Sequence, residues 1–305
     1  MTDLIGMQKG EEDTEKLCQL TNEQKEFAAA YLNEIEEQRE SRILEIRRWI
    51  LDSEDLAARL DDFFILRFLR GCKFDVERAK QKLRNYYEQR FLSPEWFTHR
   101  DPFLPELQEL LNLGVFLPLR NVDEEGRMII VVRTCAHDPR KHKQSDVFKV
   151  GMMLLDLAAR DHVEASLYGV VTIHDMTGVQ IGHAFQMTPS IVKRLVNTWQ
   201  GYPNRIRSLD YVNAPMHVNV VLNIFRKFMS KKLRQRIHIH SGDGKSLLKK
   251  ISPSVLPTEL GGTDGDYESL KNVQNRNYIQ TGYSFFNQSS FINGFTTSGQ
   301  LFKRG

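Results

Sequence analysis

The sequence predicts an α/β protein built in two parts, a helical module over the first 95 residues and then a mainly parallel β-sheet interleaved with helices. Three observations carry that expectation. Apolar residues recur at helical spacing through the first part. Pro94, Pro102 and Pro105 then break the pattern at a plausible boundary. After about residue 112, short β-branched runs alternate with amphipathic segments of helical length, which is the signature of βαβ crossovers.

The elements follow in order. Thr21 with Gln24 three residues on is a capping-box pattern. Phe27, Tyr31 and Ile35, then Ile43, Ile46 and Ile50, supply helical apolar spacing. Asp61 and Asp62 precede FFILRFLRG, a short apolar helix that Gly71 is placed to end. Asp75 opens another helix, with Val76, Ala79, Leu83, Tyr86 and Tyr87 inward. VFLPLR and MIIVVRTC flank NVDEEG as a hairpin with Gly126 in the turn. SDVFKVGMMLLDLAAR reads as a helix capped by Ser145 or Asp146, and YGVVTIHDM as a strand. TPSIVKRLVNTWQG is a helix with Pro189 in its first turn and Gly201 at its end. SLDYVNA and RIHIHS are strands, and NVVLNIFRKFMSKKLRQR between them is a helix of mixed character. Its Val218, Val221, Leu222, Phe225 and Met229 share one face, and a cluster of cations follows. The segment after LPTELGG is rich in Asn, Ser, Gly and aromatics and receives no fold assignment.

The 305 residues suffice for a sizeable core. Composition is that of a soluble globular protein, and no apolar run reaches the roughly 18 residues of a membrane span. The opening MTDLIGMQKGEED lacks a secretory pattern, and Thr2 argues against myristoylation. Cys18, Cys72 and Cys135 are odd in number and far apart, as expected of reduced cytosolic thiols. Net charge is only +3 but uneven: residues 1–60 hold 15 acids and 8 bases, whereas residues 193–250 hold 13 bases against Asp210 and Asp243. Such a surface attracts an anionic partner, or is a solvated basic face.

Catalytic motifs are weak. HSGDGKS misses the first glycine of a phosphate loop, because residue 239 is Ile, and reads as a turn. His238 and His240 share one side of a strand without an evident third metal ligand. His174 and Asp175 end a strand where α/β proteins often bind ligands, yet no nucleophile elbow accompanies them. No enzyme, metal or cofactor is expected. Nucleic acid is disfavoured because the basic stretch lacks interleaved aromatics.

FILRFLRGCKFD followed by VERAKQKLRNYY resembles the N-terminal helical module of CRAL-TRIO lipid-binding proteins. HDMTGVQIGHAFQMTPS, YPNRIRSLDYVNAP and LPTELGG resemble successive landmarks of the CRAL-TRIO domain, in order, from about residue 20 to 265. The resemblance implies a tail at 1–19, the helical domain at 20–95, the lipid-binding domain at 96–268 and a second tail at 269–305. It implies a non-catalytic protein that holds one lipophile, such as tocopherol or a retinoid, in a pocket and transfers it to or from membranes. The helix over residues 215–229 corresponds to the mobile lid; a plain helix–sheet contact is the alternative. By the same landmarks Phe148, Leu155, Val170, His174, Leu195, Thr198, Trp199, Tyr202, Leu209, Val221, Phe225 and Met229 line or gate the pocket. Lys73, Arg205, Arg207, Lys232 and Arg236 fall on the family's phosphoinositide-binding cleft. Relative to tocopherol-carrying members, Gly151 and Leu155 replace serines, His174 an aromatic and Trp199 a smaller aliphatic. The implied location is cytoplasmic and peripheral on membranes, with anionic lipids as partners. A lipid-regulated adaptor whose tails bind a protein is the alternative function.

Overall fold

The structure, a computed structural model, describes residues 19–216, 218–240 and 245–274. The acidic start with Cys18, residues 241–244, for which the sequence predicts a turn, and the residues beyond 274 lie outside the described residues. Six helices come first: α1 (Asn22–Leu32), α2 (Glu36–Asp52), α3 (Asp62–Gly71), α4 (Val76–Leu92), α5 (Pro94–Phe97) and α6 (Pro105–Leu113). The Thr21–Gln24 capping box opens α1, and the Asp61 and Asp75 side chains accept the Phe64 and Arg78 amides to open α3 and α4.

The sheet has five strands in sequential order: β1 (Phe116–Pro118), β2 (Met128–Arg133), β3 (Val170–Asp175), β4 (Ile206–Val212) and β5 (Ile237–Ile239). β1 pairs antiparallel with β2 through the turn whose Gly126 has φ +72°, and β2 to β5 run parallel. The crossovers are α7 (Gln144–Asp161) with α8 (Val163–Leu167), then α9 (Ile181–Phe185) with α10 (Pro189–Gly201), then α11 (Val218–Phe228) with α12 (Lys231–Arg234). α13 (Lys245–Leu248) and α14 (Tyr267–Gln274) follow the sheet.

Strand alternation separates two cores. Ile129, Val131, Val171 and Ile173 point away from the crossover helices and pack with Leu247, Ile251, Leu256 and Tyr267. Ile130, Val132, Val170, Thr172, His174, Leu209 and Tyr211 point the other way, into a cavity. On the first of these faces Asp210 accepts from Lys250 Nζ at 2.6 Å and pairs with His240 Nε2 at 2.9 Å, while Ser246 Oγ meets His240 Nδ1 at 2.8 Å. This chain lies opposite the cavity and anchors the segment after β5.

Three local expectations are corrected. Tyr31 is exposed, because α1 buries only the narrower Ala28–Leu32 stripe beside Leu167, and Ile35, also exposed, lies outside α1 as the extended residue that precedes α2. α7 begins after Lys143, without a side-chain cap from Ser145 or Asp146. Gly71 does not end α3 through a left-handed turn; Lys73 and Phe74 adopt φ +58° and +57° instead. Gly71 is needed for proximity, since a Cβ there would lie 2.2 Å from the Pro203 carbonyl oxygen.

Candidate ligand cavity and basic cleft

The cavity lies between the sheet and helices α7, α10 and α11. Phe148 and Leu155 project from α7, Leu195 and Trp199 from α10, and Val218, Val221, Leu222 and Phe225 from α11. The α11 spacing puts these four on one face, while Val220 on the other face is 65% exposed. Trp199 stacks on Phe225 with ring centroids 5.7 Å apart, so the covering helix is latched by an aromatic pair. The cavity encloses about 190 Å³. That is below the range of roughly 300–1,000 Å³ usual for small-molecule sites.

Of the twelve pocket residues named from sequence, Phe148, Leu155, Val170, His174, Leu195, Trp199, Tyr202, Leu209, Val221 and Phe225 line this space. Thr198 and Met229 do not. Thr198 lies three residues before Gly201, on the α10 face that meets Asn85 and Tyr86 of α4. Met229 continues the α11 stripe one turn beyond the cavity and is buried with Leu233. Gly151 lines the cavity against the Phe116 ring, which fills the place a larger side chain would take.

Polar groups in the wall are few and differently committed. The His174 ring stacks on Tyr211 at 4.5 Å, and its Nε2 lies 3.3 Å from Thr172 Oγ1. Burial drives its pKa down to about 4, against a weaker opposing pull from Asp210. Tyr202 donates its hydroxyl to Asp156 at 2.9 Å, so its polar end is already used. Beyond the strand C-termini, His183 Nε2 meets the His137 carbonyl at 3.0 Å, and Gln186 Nε2 donates to the carbonyls of Pro139 and His142 at 3.0 Å each. This polar clasp ties α9 to the loop after β2. Burial lowers the pKa of His137, and His183 and His142 add to the effect while Gln186 opposes it.

Beside the cavity, the structure brings the five predicted cations into one electrostatic cluster. Lys232 has its pKa lowered by burial and then by Arg236, Lys73, Arg78 and Arg205. Arg205 is pushed down to about 10 by burial, with Arg207 and Arg236 adding to it. Lys82 is lowered by burial, Arg78 and Lys232. Among the described residues none of these seven cations is ion-paired. Arg205 and Arg236 instead donate to the Leu167 and Ile206 carbonyls. Gly169, at φ +99°, lets this segment approach: a Cβ there would meet the Arg205 carbonyl oxygen at 2.5 Å. Arg78 and Lys82 were missed in the sequence, although their spacing of four on α4 marks one helix face.

A parallel sheet with an antiparallel first strand, an apolar cavity under a crossover helix and a cationic cleft beside it define a lipid-carrier class of α/β protein. The chain belongs to the CRAL/TRIO lipid-binding and transfer family. The CRAL/TRIO domain description matches residues 113–262, and a Pinta-like UBA domain description matches residues 35–107. The human alpha-tocopherol transfer protein-like protein is 30% identical over 255 residues, which is 83% of this chain and 74% of that relative. Rat clavesin-2 is 30% identical over 251 residues, 82% of this chain and 76% of the relative. The mouse alpha-tocopherol transfer protein-like protein is 31% identical over 215 residues, 70% of this chain and 62% of its own length. The crystal structure of Sfh5 superposes with a TM-score of 0.55 at 15% identity, covering 84% of this chain and 98% of that one, and so shares the fold.

Proposed function

We propose that the protein carries one lipophile in the cavity beneath α11 and exchanges it at anionic membranes, docking through the Lys73–Arg78–Lys82–Arg205–Arg207–Lys232–Arg236 cleft. The observation that carries this reading is the juxtaposition of an apolar cavity with a cluster of seven cations that have no carboxylate partner among the described residues. Arginine offers bidentate contacts to phosphate, and lysine adds point charge. α11 is the cover, opening about its ends when the apolar face meets lipid instead of the sheet. Phe185 at 79% exposed, Ile181 at 61% and Met216 at 90% follow the C-terminal ends of β3 and β4, around the start of α11, and would supply apolar contact with a bilayer. No helix among the described residues is long and apolar enough to cross a membrane. The role proposed with this carrier reading is peripheral on membranes, cytoplasmic and non-catalytic.

The test joins two measurements. Mass spectrometry of an organic extract of the purified protein identifies what it carries. A fluorescence assay then follows transfer of that lipophile between vesicles with and without phosphatidylinositol bisphosphate. A protein that yields no lipophile, and transfers none faster than spontaneous exchange, overturns the reading.

A further inference from the structure

The cavity wall holds a side chain whose hydrogen-bonding groups the protein leaves unused. Among the described residues, Asn204 and His137 are the cavity-lining side chains with buried nitrogen or oxygen atoms that find no partner. His137 uses its other nitrogen on Gln186 at 3.2 Å. Asn204 uses neither: both its amide nitrogen and its amide oxygen are buried without a partner, and the residue is only 5% exposed. An unpaired buried amide costs free energy that folding alone does not recover.

The amide is also fixed in place. Gly71 packs directly on the Pro203 carbonyl. The Tyr202 hydroxyl is held by Asp156 at 2.9 Å and receives Arg90 Nη2 at 3.2 Å. Arg205 donates to the Leu167 carbonyl. With its neighbours tied on both sides, Asn204 cannot swing out to water at small cost. It stands two residues before β4, at the N-terminal edge of the parallel strands, whereas the exposed α9 and the first turn of α11 follow the C-terminal ends of β3 and β4.

We infer that Asn204 is a specificity residue, and that the ligand is a lipophile with one terminal group that both donates and accepts a hydrogen bond, a hydroxyl above all. It is bound with that end innermost at Asn204 and its apolar body towards α11. The amide oxygen accepts a hydrogen bond from the hydroxyl, and the amide nitrogen donates one to the hydroxyl oxygen. This deepens the carrier reading above and rests on it. A pure hydrocarbon leaves the amide as unpaired as it is without ligand, whereas a hydroxyl gains two hydrogen bonds, so selection acts through the bonds made to the amide.

The experiment uses full-length protein stripped of bound lipid, with displacement of fluorescent diphenylhexatriene by lauryl alcohol, lauryl methyl ether and dodecane. Asn204→Leu is expected to weaken the alcohol about tenfold, equivalent to about 1.4 kcal/mol, and to leave dodecane within about twofold. The ether, which accepts but does not donate, is expected to fall between. Asn204→Ala repeats the comparison should the leucine variant fold poorly. Equal effects on alcohol and dodecane, or no effect on either, would mean that the amide holds only a trapped water and would overturn the inference. Failure of every probe to bind the wild-type protein would instead overturn the carrier reading, and the inference with it.

Discussion

Arg90 Nη2 sits 2.9 Å from both carboxylate oxygens of Asp156, joining the helical module to α7 in a buried site. Arg100 Nη1 adds a contact at 2.6 Å, and the Tyr202 hydroxyl a fourth at 2.9 Å. The Arg90 guanidinium also lies over the rings of Tyr86 and Phe97 at 4.2 and 4.4 Å. Burial raises the Asp156 pKa, but Arg90 and Arg100 outweigh it and hold the carboxyl down at about 2. Asp156→Ala removes the carboxylate that faces two buried guanidinium groups and is expected to cost about 3–5 kcal/mol in urea unfolding. Because the folded pKa lies below the ordinary value, the Asp156 contribution is present above about pH 4 and lost as pH falls towards 2. An Asp156→Ala protein as stable as wild type at pH 7 would contradict this account.

His174 adds a pH dependence of the same sign from within the cavity, over a higher pH window. Its pKa of about 4 keeps the ring neutral from pH 5 to 8. The unfolded ring takes up a proton below about 6.5, so stability falls as pH drops through that value and continues falling to about 4. His174→Phe is expected to leave the protein folded, to flatten its loss of thermal stability between pH 7 and 5, and to change which lipids co-purify. An unchanged lipid profile would reduce His174 to a core residue stacked on Tyr211.

The fold was legible where pattern and chemistry coincide. βαβ alternation marked the sheet, and capping side chains at Thr21, Asp61 and Asp75 marked helix starts. Gly71 was misread because a glycine required by a neighbour 132 positions away looks the same in sequence as one required by its own φ. Asn204 was invisible for a related reason. Its significance lies in partners it lacks, and an asparagine after Tyr-Pro reads as a loop residue. Arg78 and Lys82 needed tertiary structure to place α4 beside Arg205 and Lys232. Tyr31 and Ile35 showed the reverse failure: the apolar periodicity runs wider than the contact stripe of α1 at Tyr31 and past the end of α1 at Ile35.

The cationic cleft is expected to act through charge rather than through the pocket. Arg207→Glu with Lys232→Glu alters two exposed side chains in the cluster. Binding to vesicles carrying phosphatidylinositol bisphosphate should drop about tenfold or more at low salt, since each juxtamembrane cation is worth about 1 kcal/mol. The difference should shrink at high salt, where the Debye length contracts to about 3 Å. Affinity for a soluble lipophile in the absence of membranes should stay within about twofold, because these side chains lie outside the cavity. Vesicle co-sedimentation at two salt concentrations decides the matter; undiminished binding by the reversed protein would make the cleft a solvated surface.

The apolar residues around α9 and α11 separate insertion from ligand retention. Phe185 and Val220 point outward, at 79% and 65% exposed, whereas Phe225 points inward and is only 6% exposed. Phe185→Asp with Val220→Asp removes contact with lipid without touching the Trp199–Phe225 stack. This pair should slow ligand transfer to vesicles several-fold and leave folding stability within about 0.5 kcal/mol, as for surface changes generally. Phe225→Ala breaks the stack and opens the cavity roof, with an expected cost of about 3–5 kcal/mol and faster ligand loss even without vesicles. If both changes slowed transfer equally and neither altered ligand loss in solution, α11 would be a fixed wall and exchange would proceed by another opening.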